Sequence, residues 1–191
     1  MEYILIIISA VLINNVVLAQ FLGVCPFLGV SNKMSTAVGM GGAVMFVITL
    51  ATIITFLVHS YLLAPFGLGY LQTIAFILLI ATLVQVIEVV LKKASPSLYQ
   101  ALGVFLPLMS TNCAILGVAI LVTQGSDFNL LKATTLAIGT GLGFVLALIV
   151  FTGIREQLEL VGVPKGMKGV PIALVTAGIL ALAFMGFSGL V

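Results

Sequence analysis

The sequence predicts an all-α integral membrane protein with six transmembrane helices, arranged as two inverted repeats of three helices each. Three observations predict this class. Hydrophobic residues make up 62% of the 191 residues and charged residues only 6%, whereas a soluble domain has about 25% charged residues. The few charges leave long apolar runs, and a helix needs about 20 such residues to cross a bilayer. The two cysteines each begin a similar phrase, which indicates an internal duplication.

Six apolar runs are separated by short segments rich in Pro, Gly, Asn or Lys, which mark turns and loops. The predicted spans are 3–22, 36–58, 68–91, 97–123, 133–154 and 169–191. Residues 1–191 are expected to form a single membrane domain, with the first repeat at about 1–93 and the second at about 94–191. Glu2 stands where a signal peptide has a basic region, so we expect the first run to remain as a span.

Lysine and arginine residues predict the orientation, because cationic loops are retained in the cytoplasm. The loops after the first, third and fifth spans contain six such residues, and the loops after the second and fourth spans contain only Lys132. This asymmetry predicts that both termini lie on the non-cytoplasmic side. The six cationic residues are Lys33, Lys92, Lys93, Arg155, Lys165 and Lys168.

The internal duplication is visible in two pairs of phrases. CPFLGV at Cys25 is matched by CAILGV at Cys113, 88 positions later, and GMG at 39–41 is matched by GTG at 139–141, 100 positions later. A three-span unit repeated in tandem crosses the membrane in opposite directions, so a two-fold axis in the membrane plane should relate the halves. The alternative is chance recurrence of short Leu, Gly and Val phrases in a biased composition.

Both cysteine phrases contain residues that interrupt helices. Gly23 and Pro26 flank Cys25, and the triplet STN at 110–112 directly precedes Cys113. Proline is favoured in the first turn of a helix, and Ser, Thr and Asn are favoured N-caps. We therefore expect interrupted helices at Cys25 and Cys113, with a new half-helix beginning at each cysteine.

The two thiols are the candidate cofactor ligands. A helix N-terminus stabilises negative charge beside it, so a thiolate there suits a metal. A disulfide and a role as two small buried hydrophobic side chains are the alternatives. Two cysteines are too few for an iron–sulfur cluster, which usually takes four, and the only histidine, His59, has no obvious route to them. The missing ligands would have to come from another chain.

Glu88 is the only acidic residue predicted within a span. A carboxylate there is costly and is a functional candidate by default, here on an ion pathway with Gln85 as a neighbour. The alternative is an ion pair with Lys92, four residues later on the same helix. Asn14 and Asn15 in the first span are interpreted as interhelical hydrogen-bonding groups, with ion ligands as the alternative.

The sequence contains no catalytic triad, zinc motif or phosphate loop, and nothing in it indicates nucleic-acid binding. The glycine clusters at 39–42 and 139–143 lie inside apolar runs without a preceding strand, so they indicate close helix packing and not a nucleotide site. The predicted cytoplasmic loop at 155–168 is a candidate docking surface for soluble subunits, or a basic loop that faces lipid.

The segments LINNVVLAQFLGVCPFLGVS and LPLMSTNCAILGVAIL, on a chain of this length, carry a family resemblance. They resemble the A subunits of Rnf complexes, the ion-translocating ferredoxin:NAD oxidoreductases, and the corresponding E subunits of sodium-translocating NADH:quinone oxidoreductases. The resemblance covers essentially the whole chain. It implies a multi-pass subunit of the bacterial cell membrane that belongs to a redox-driven translocase, with no complete active site on this chain alone.

The resemblance further implies a homologous sister subunit of opposite membrane orientation. The two subunits would hold one [2Fe-2S] cluster, with Cys25 and Cys113 as the ligands from this chain. Electrons would pass through the cluster between cytoplasmic iron–sulfur subunits and flavin-bearing subunits on the other side, coupled to transport of Na+ or H+. The alternative functions are an inverted-repeat secondary transporter and a structural assembly subunit without a cofactor.

Overall fold

The structure is a computed structural model. It describes residues 2–31, 33–67, 69–94, 106–124, 129–164 and 166–189. Within these ranges the chain is helical and contains no β-strand. The α-helices are α1 (Glu2–Ile8), α2 (Val24–Val30), α3 (Met34–Val58), α4 (Ala64–Phe66), α5 (Gln72–Ala94), α6 (Leu106–Ser110), α7 (Cys113–Gln124), α8 (Leu130–Val161) and α9 (Val170–Met185). Two π-helical segments, Ser9–Ile13 and His59–Leu63, continue α1 and α3.

Several of these helices are long and apolar enough to cross a membrane. They are Met34–Leu63, Gly69–Val90 and Leu130–Val161, and they coincide with the predicted second, third and fifth spans. Shorter apolar helices overlap the other three predicted spans, at Glu2–Ile13, Leu108–Gln124 and Val170–Met185. The all-helical, membrane-type fold is therefore confirmed for the described part of the chain.

The prediction of a continuous first span over 3–22 is wrong, because the helix ends at Ile13 and the chain is irregular until Val24. The side chain of Asn15 there bonds to nearby backbone groups and competes with the helix. The prediction of a loop over 155–168 is also wrong at its start, since α8 continues to Val161. The N-terminal part of the predicted fourth span, 97–105, lies outside the described residues.

The centre of the molecule is formed by α3 and α8, which share the most extensive contact. Buried residues recur every three or four positions along α3, as expected for one packed face of a helix. They include Ala37, Met40, Val44, Ile48, Ala51 and Thr55. This face gives α3 a buried side against α8 and leaves its opposite side for lipid or other subunits.

Small residues bring α3 and α8 close together at two reciprocal contacts. A Cβ added at Gly41 would lie 3.2 Å from Val145 Cγ2, and one added at Gly141 would lie 2.7 Å from Met45 Cγ. Positions 41 and 45 correspond to 141 and 145 at the 100-position offset, so each half makes the same contact with the other. Helix packing is thus confirmed for Gly41 and Gly141, whereas an added Cβ at Gly39 would meet nothing within 4 Å.

Polar contacts at the two ends of α8 show how the helices run. Lys132 Nζ lies 3.5 Å from Glu2 Oε2, so α1 and α8 begin at the same end of the molecule. The N–H of Met34 donates to Glu156 Oε1 at 2.9 Å, so α3 begins where α8 approaches its end. The helices α3 and α8 are therefore antiparallel.

Candidate functional site

The first helix break is the segment between Ile13, where the π-helical segment ends, and Val24, where α2 begins. The π-helical segment closes at Asn14, whose N–H donates to the Ser9 carbonyl at 2.7 Å. Single π-helical turns inside or at the end of α-helices are frequent at functional sites. Regular structure resumes at Val24, one residue before Cys25, so the predicted interruption at this cysteine is present.

Asn15 holds the first break through its buried carboxamide. Its Nδ2 donates to the Val11 carbonyl at 3.0 Å and to the Gly143 carbonyl of α8 at 2.9 Å. Its Oδ1 accepts from the N–H groups of Val17 at 3.1 Å and Leu18 at 3.4 Å. These bonds satisfy backbone groups that an interrupted helix leaves without partners. The predicted interhelical role of Asn15 is confirmed, since Gly143 belongs to α8.

Asn14 makes a local contact instead. Its Nδ2 donates to Ser9 Oγ at 3.3 Å, within the same segment. Both side chains line a cavity of about 500 Å³ that also contacts Gln20 and Thr140. An interhelical bond from Asn14 is not seen in the described residues, and its role as an ion ligand stays a prediction.

The second break lies between Ser110 and Cys113, where α6 ends and α7 begins. Asn112 Oδ1 accepts from the N–H of Ala114 at 3.0 Å, which is the hydrogen bond of an N-cap. The predicted start of a new helix at Cys113 is therefore confirmed. The Nδ2 atom of Asn112 is buried and has no hydrogen-bond partner among the described residues.

The two breaks meet at Gly23. Its N–H donates to Cys113 Sγ at 2.9 Å, across 90 positions of sequence. Its φ is +78°, and an added Cβ would lie 3.0 Å from Phe144 Cε2 and 3.1 Å from Asn112 Oδ1. Both the backbone conformation and the close neighbours require glycine at this position.

Both thiols are free and exposed. The interpretation of the cysteines as small buried hydrophobic side chains is therefore wrong for this chain taken alone. Neither Cys25 nor Cys113 forms a disulfide. The described residues contain no group of three or more His, Cys, Asp and Glu side chains placed to hold a metal ion. The ligand role of the two cysteines stays a prediction.

Glu88 lies near the end of α5, half-buried and four residues before Lys92. Gln85, one turn earlier, is exposed. The ring of His59 packs against that of Phe76, with 6.4 Å between ring centroids. The place of Glu88 on an ion pathway stays a prediction.

Two charged residues of α8 hold the turn between α2 and α3, which the sequence did not predict. Arg155 Nη1 donates to the Leu28 carbonyl at 3.0 Å and to Ser31 Oγ at 2.5 Å. Glu156 Oε1 accepts from the N–H of Met34 at 2.9 Å. Arginine thus caps the end of α2 and glutamate caps the start of α3, each at the helix end that its charge favours. An adjacent pair of opposite charges at the end of an apolar run is the signal that could have indicated them.

An aromatic contact fixes α2 on the same helix. The rings of Phe27 and Phe151 are stacked, with centroids 4.2 Å apart. The guanidinium of Arg155 lies over the Phe151 ring at 5.9 Å from its centroid. The short helix that contains Cys25 is therefore attached to α8 by both stacking and hydrogen bonds.

Known proteins are similar in sequence to this chain over essentially its whole length. The profile of a family described as "Rnf-Nqr subunit, membrane protein" matches residues 3–191. The A subunit of a Na(+)-translocating ferredoxin:NAD(+) oxidoreductase complex from Acetobacterium woodii is 58% identical over 190 residues, which cover 100% of this chain and 98% of that protein.

Two further relatives are named as the A subunits of ion-translocating oxidoreductase complexes. The one from Syntrophotalea carbinolica is 57% identical over 188 residues, covering 98% of this chain and 96% of that protein. The one from Vibrio cholerae is 52% identical over 190 residues, covering 100% of this chain and 98% of that protein. The resemblance carried by the two cysteine phrases is thereby confirmed, and the chain belongs to the Rnf-Nqr family of membrane protein subunits.

Proposed function

We propose that this chain acts as the A subunit of an ion-translocating oxidoreductase complex of the Rnf type, and that Cys25 and Cys113 supply two of the four ligands of a [2Fe-2S] cluster. A homologous sister subunit supplies the other two. The observation that carries the proposal is the meeting of the two helix breaks, where the N–H of Gly23 donates to Cys113 Sγ at 2.9 Å.

The residues at the breaks fit such a cluster. Cysteine thiolates are its usual ligands, and N–H donors to sulfur tune its reduction potential. Both thiols are exposed, so the surface of a second subunit can reach them. Gly23 supplies one N–H donor, and Asn112 Nδ2, which has no partner among the described residues, is a second polar group at the same place. The cluster, when bound, supplies one-electron transfer, and the chain holds and orients the two thiolates.

The need for a partner follows from the number of ligands. A [2Fe-2S] cluster takes four, and the part of the chain that the structure describes brings no third His, Cys, Asp or Glu into a common group. This chain and a homologous sister subunit of opposite orientation, each built from two three-span repeats with one cysteine per repeat, would supply two cysteines each. The relatives named above are subunits of complexes, which supports assembly with other subunits.

Six spans in two inverted repeats give the simplest account of the helix arrangement. The reciprocal contacts of Gly41 with Val145 and of Gly141 with Met45 support a two-fold relation between the halves. A helix break beside each cysteine supports it as well. The excess of Lys and Arg in alternate loops supports termini on the non-cytoplasmic side of a bacterial cell membrane.

Electron transfer through the cluster is proposed to be coupled to transport of Na+ or H+. The Acetobacterium woodii relative is named as Na(+)-translocating, which supports sodium as the first ion to test. Glu88 remains the candidate on the ion route, because a carboxylate within an apolar helix is costly unless it has a function. Iron–sulfur and flavin-bearing subunits are the proposed electron partners on the two sides of the membrane.

The test replaces each thiol in the complete complex. In Cys25→Ser and Cys113→Ser, an alcohol stands where a soft iron site needs a thiolate, so the membrane cluster should be lost. We expect its electron paramagnetic resonance signal to disappear and the iron content to fall by about two atoms for each complex. Thr111→Ser is the matched control, because it changes the second break without removing a thiol.

Two outcomes would overturn the proposal. A full cluster in both serine variants would leave a secondary transporter or a structural role as the function of this chain. Retention of the cluster iron by this chain purified as a monomer would contradict the sharing of the site.

A further inference from the structure

Asn112 carries a polar group that has no partner within the part of the chain that the structure describes. Its side chain is buried, with 4% exposure, and Nδ2 has no hydrogen-bond partner among the described residues. Oδ1 accepts from the N–H of Ala114 at 3.0 Å. This cap fixes the orientation of the amide, since exchanging Oδ1 and Nδ2 would place two donors against each other.

The other buried asparagine shows the usual arrangement. Asn15 is 0% exposed, and its Nδ2 donates to two carbonyl groups. Buried amide N–H groups are nearly always paired in this way, because an unpaired one destabilises the fold, and an apolar environment offers no water to replace the partner. An unpaired Nδ2 in Asn112 therefore indicates an acceptor that the described residues do not supply.

The position of Asn112 indicates which acceptor this is. The residue directly precedes Cys113 at the start of α7, and a Cβ added at Gly23 would lie 3.1 Å from its Oδ1. The N–H of Gly23 already donates to Cys113 Sγ. The free amide thus lies where the two breaks and the thiol of Cys113 come together.

We propose that Asn112 Nδ2 donates a hydrogen bond to a sulfur atom of the cluster held by Cys25 and Cys113, and that this bond raises the reduction potential of the cluster. The proposal rests on the proposed function, because the acceptor arrives with the cluster. A donor to sulfur favours the reduced form, which carries more negative charge. Asn112 is then both the cap of α7 and a determinant of the potential.

The first test measures the potential in the complete complex. Asn112→Asp keeps an oxygen for the cap and removes both amide N–H groups, and Asn112→Ser does the same without adding charge. We expect both variants to keep their cluster iron and to have more negative midpoint potentials. At the wild-type midpoint, the ratio of reduced to oxidised cluster should fall at least about threefold, as for the loss of one net hydrogen bond.

The matched control is Asn129→Ser. Asn129 also stands at a helix N-cap, but its side chain makes no cap hydrogen bond at the start of α8. Its replacement should leave the midpoint potential and the spectrum of the cluster unchanged.

The second test detects the hydrogen bond directly by spectroscopy. Asparagine labelled with ¹⁵N only at the side-chain amide is incorporated into the complex, and pulsed electron paramagnetic resonance of the reduced cluster measures hyperfine coupling to that nitrogen. A coupling that disappears in Asn112→Ser is the expected result. An intact cluster with no such coupling, or with an unchanged potential in both Asn112 variants, would overturn the proposal. A wild-type complex with no cluster in the membrane would instead overturn the proposed function.

Discussion

Gly23 shows how closely a single residue is constrained at the site. Its φ of +78° lies in the left-handed region, and three neighbours approach within 3.1 Å of the place where a Cβ would stand. A side chain at position 23 is therefore disfavoured both by backbone strain and by overlap with these neighbours. The same residue supplies the N–H that reaches Cys113 Sγ, so a small shift here moves a donor away from the sulfur.

We predict that Gly23→Ala lowers the free energy of unfolding of this chain by about 2 to 5 kcal/mol, from left-handed backbone strain and overpacking together. Thermal melting of the purified complex measures the change. Gly29→Ala is the control in the same segment, because an added Cβ there would meet nothing within 4 Å. Equal melting temperatures for the two variants would contradict the account of Gly23.

At the scale of elements, α2 is a short helix that depends on α8 for its position. With only seven residues, it is too short to be stable alone. Stacking of Phe27 on Phe151 holds its buried side, and Arg155 holds its C-terminal end through the Leu28 carbonyl and Ser31. Cys25 belongs to the first turn of this helix, so contacts at its far end help to position the thiol.

We predict that Arg155→Met increases amide hydrogen exchange in α2 about 10- to 100-fold, because hydrogen bonds from a charged donor contribute about 1.5 to 3 kcal/mol. Exchange measured by mass spectrometry on peptides that cover α2 tests this. Arg155→Lys keeps the charge and should restore part of the protection. Lys168→Met is the control for loss of a cation on the same side of the molecule, and equal exchange in both methionine variants would contradict the capping role.

Local sequence signals predicted the elements whose causes are local. The STN triplet at 110–112 predicted the start of α7, and small residues in apolar runs predicted close helix packing at the glycine clusters. The extent of the first break was not predicted, because it depends on the bond from Asn15 to Gly143, 128 positions away. The caps supplied by Arg155 and Glu156 also join distant segments, with 122 positions between Glu156 and Met34. Such pairs are created by tertiary packing, and periodicity carries no information about them.

At the scale of the whole molecule, Glu2, Lys132 and Glu156 make their contacts at two opposite ends of the antiparallel pair α3 and α8. Glu2 and Lys132 meet at one end, and Met34 meets Glu156 at the other. The apolar lengths of α3 and α8 lie between them. This separation agrees with a membrane between the two polar ends, and the loop charges decide which end faces the cytoplasm.

We predict that a reporter enzyme fused after Val191 is active only if it is a type that functions outside the cytoplasm. The physical reason is the excess of Lys and Arg in the loops on the opposite side. The same reporters fused after Gly162 should give the reverse result. Activity of a cytoplasm-only reporter after Val191 would contradict the orientation and the inverted arrangement of the halves.

The hydrogen bond between Gly23 and Cys113 also sets an order of events during synthesis. The two residues are 90 positions apart, and at about 5 to 20 residues per second the ribosome needs roughly 5 to 18 seconds to make that stretch. Until then the nascent chain contains Cys25 but not Cys113. Under the proposed function, metal loading therefore follows translation of both halves, and Cys25 has to stay reduced in the meantime.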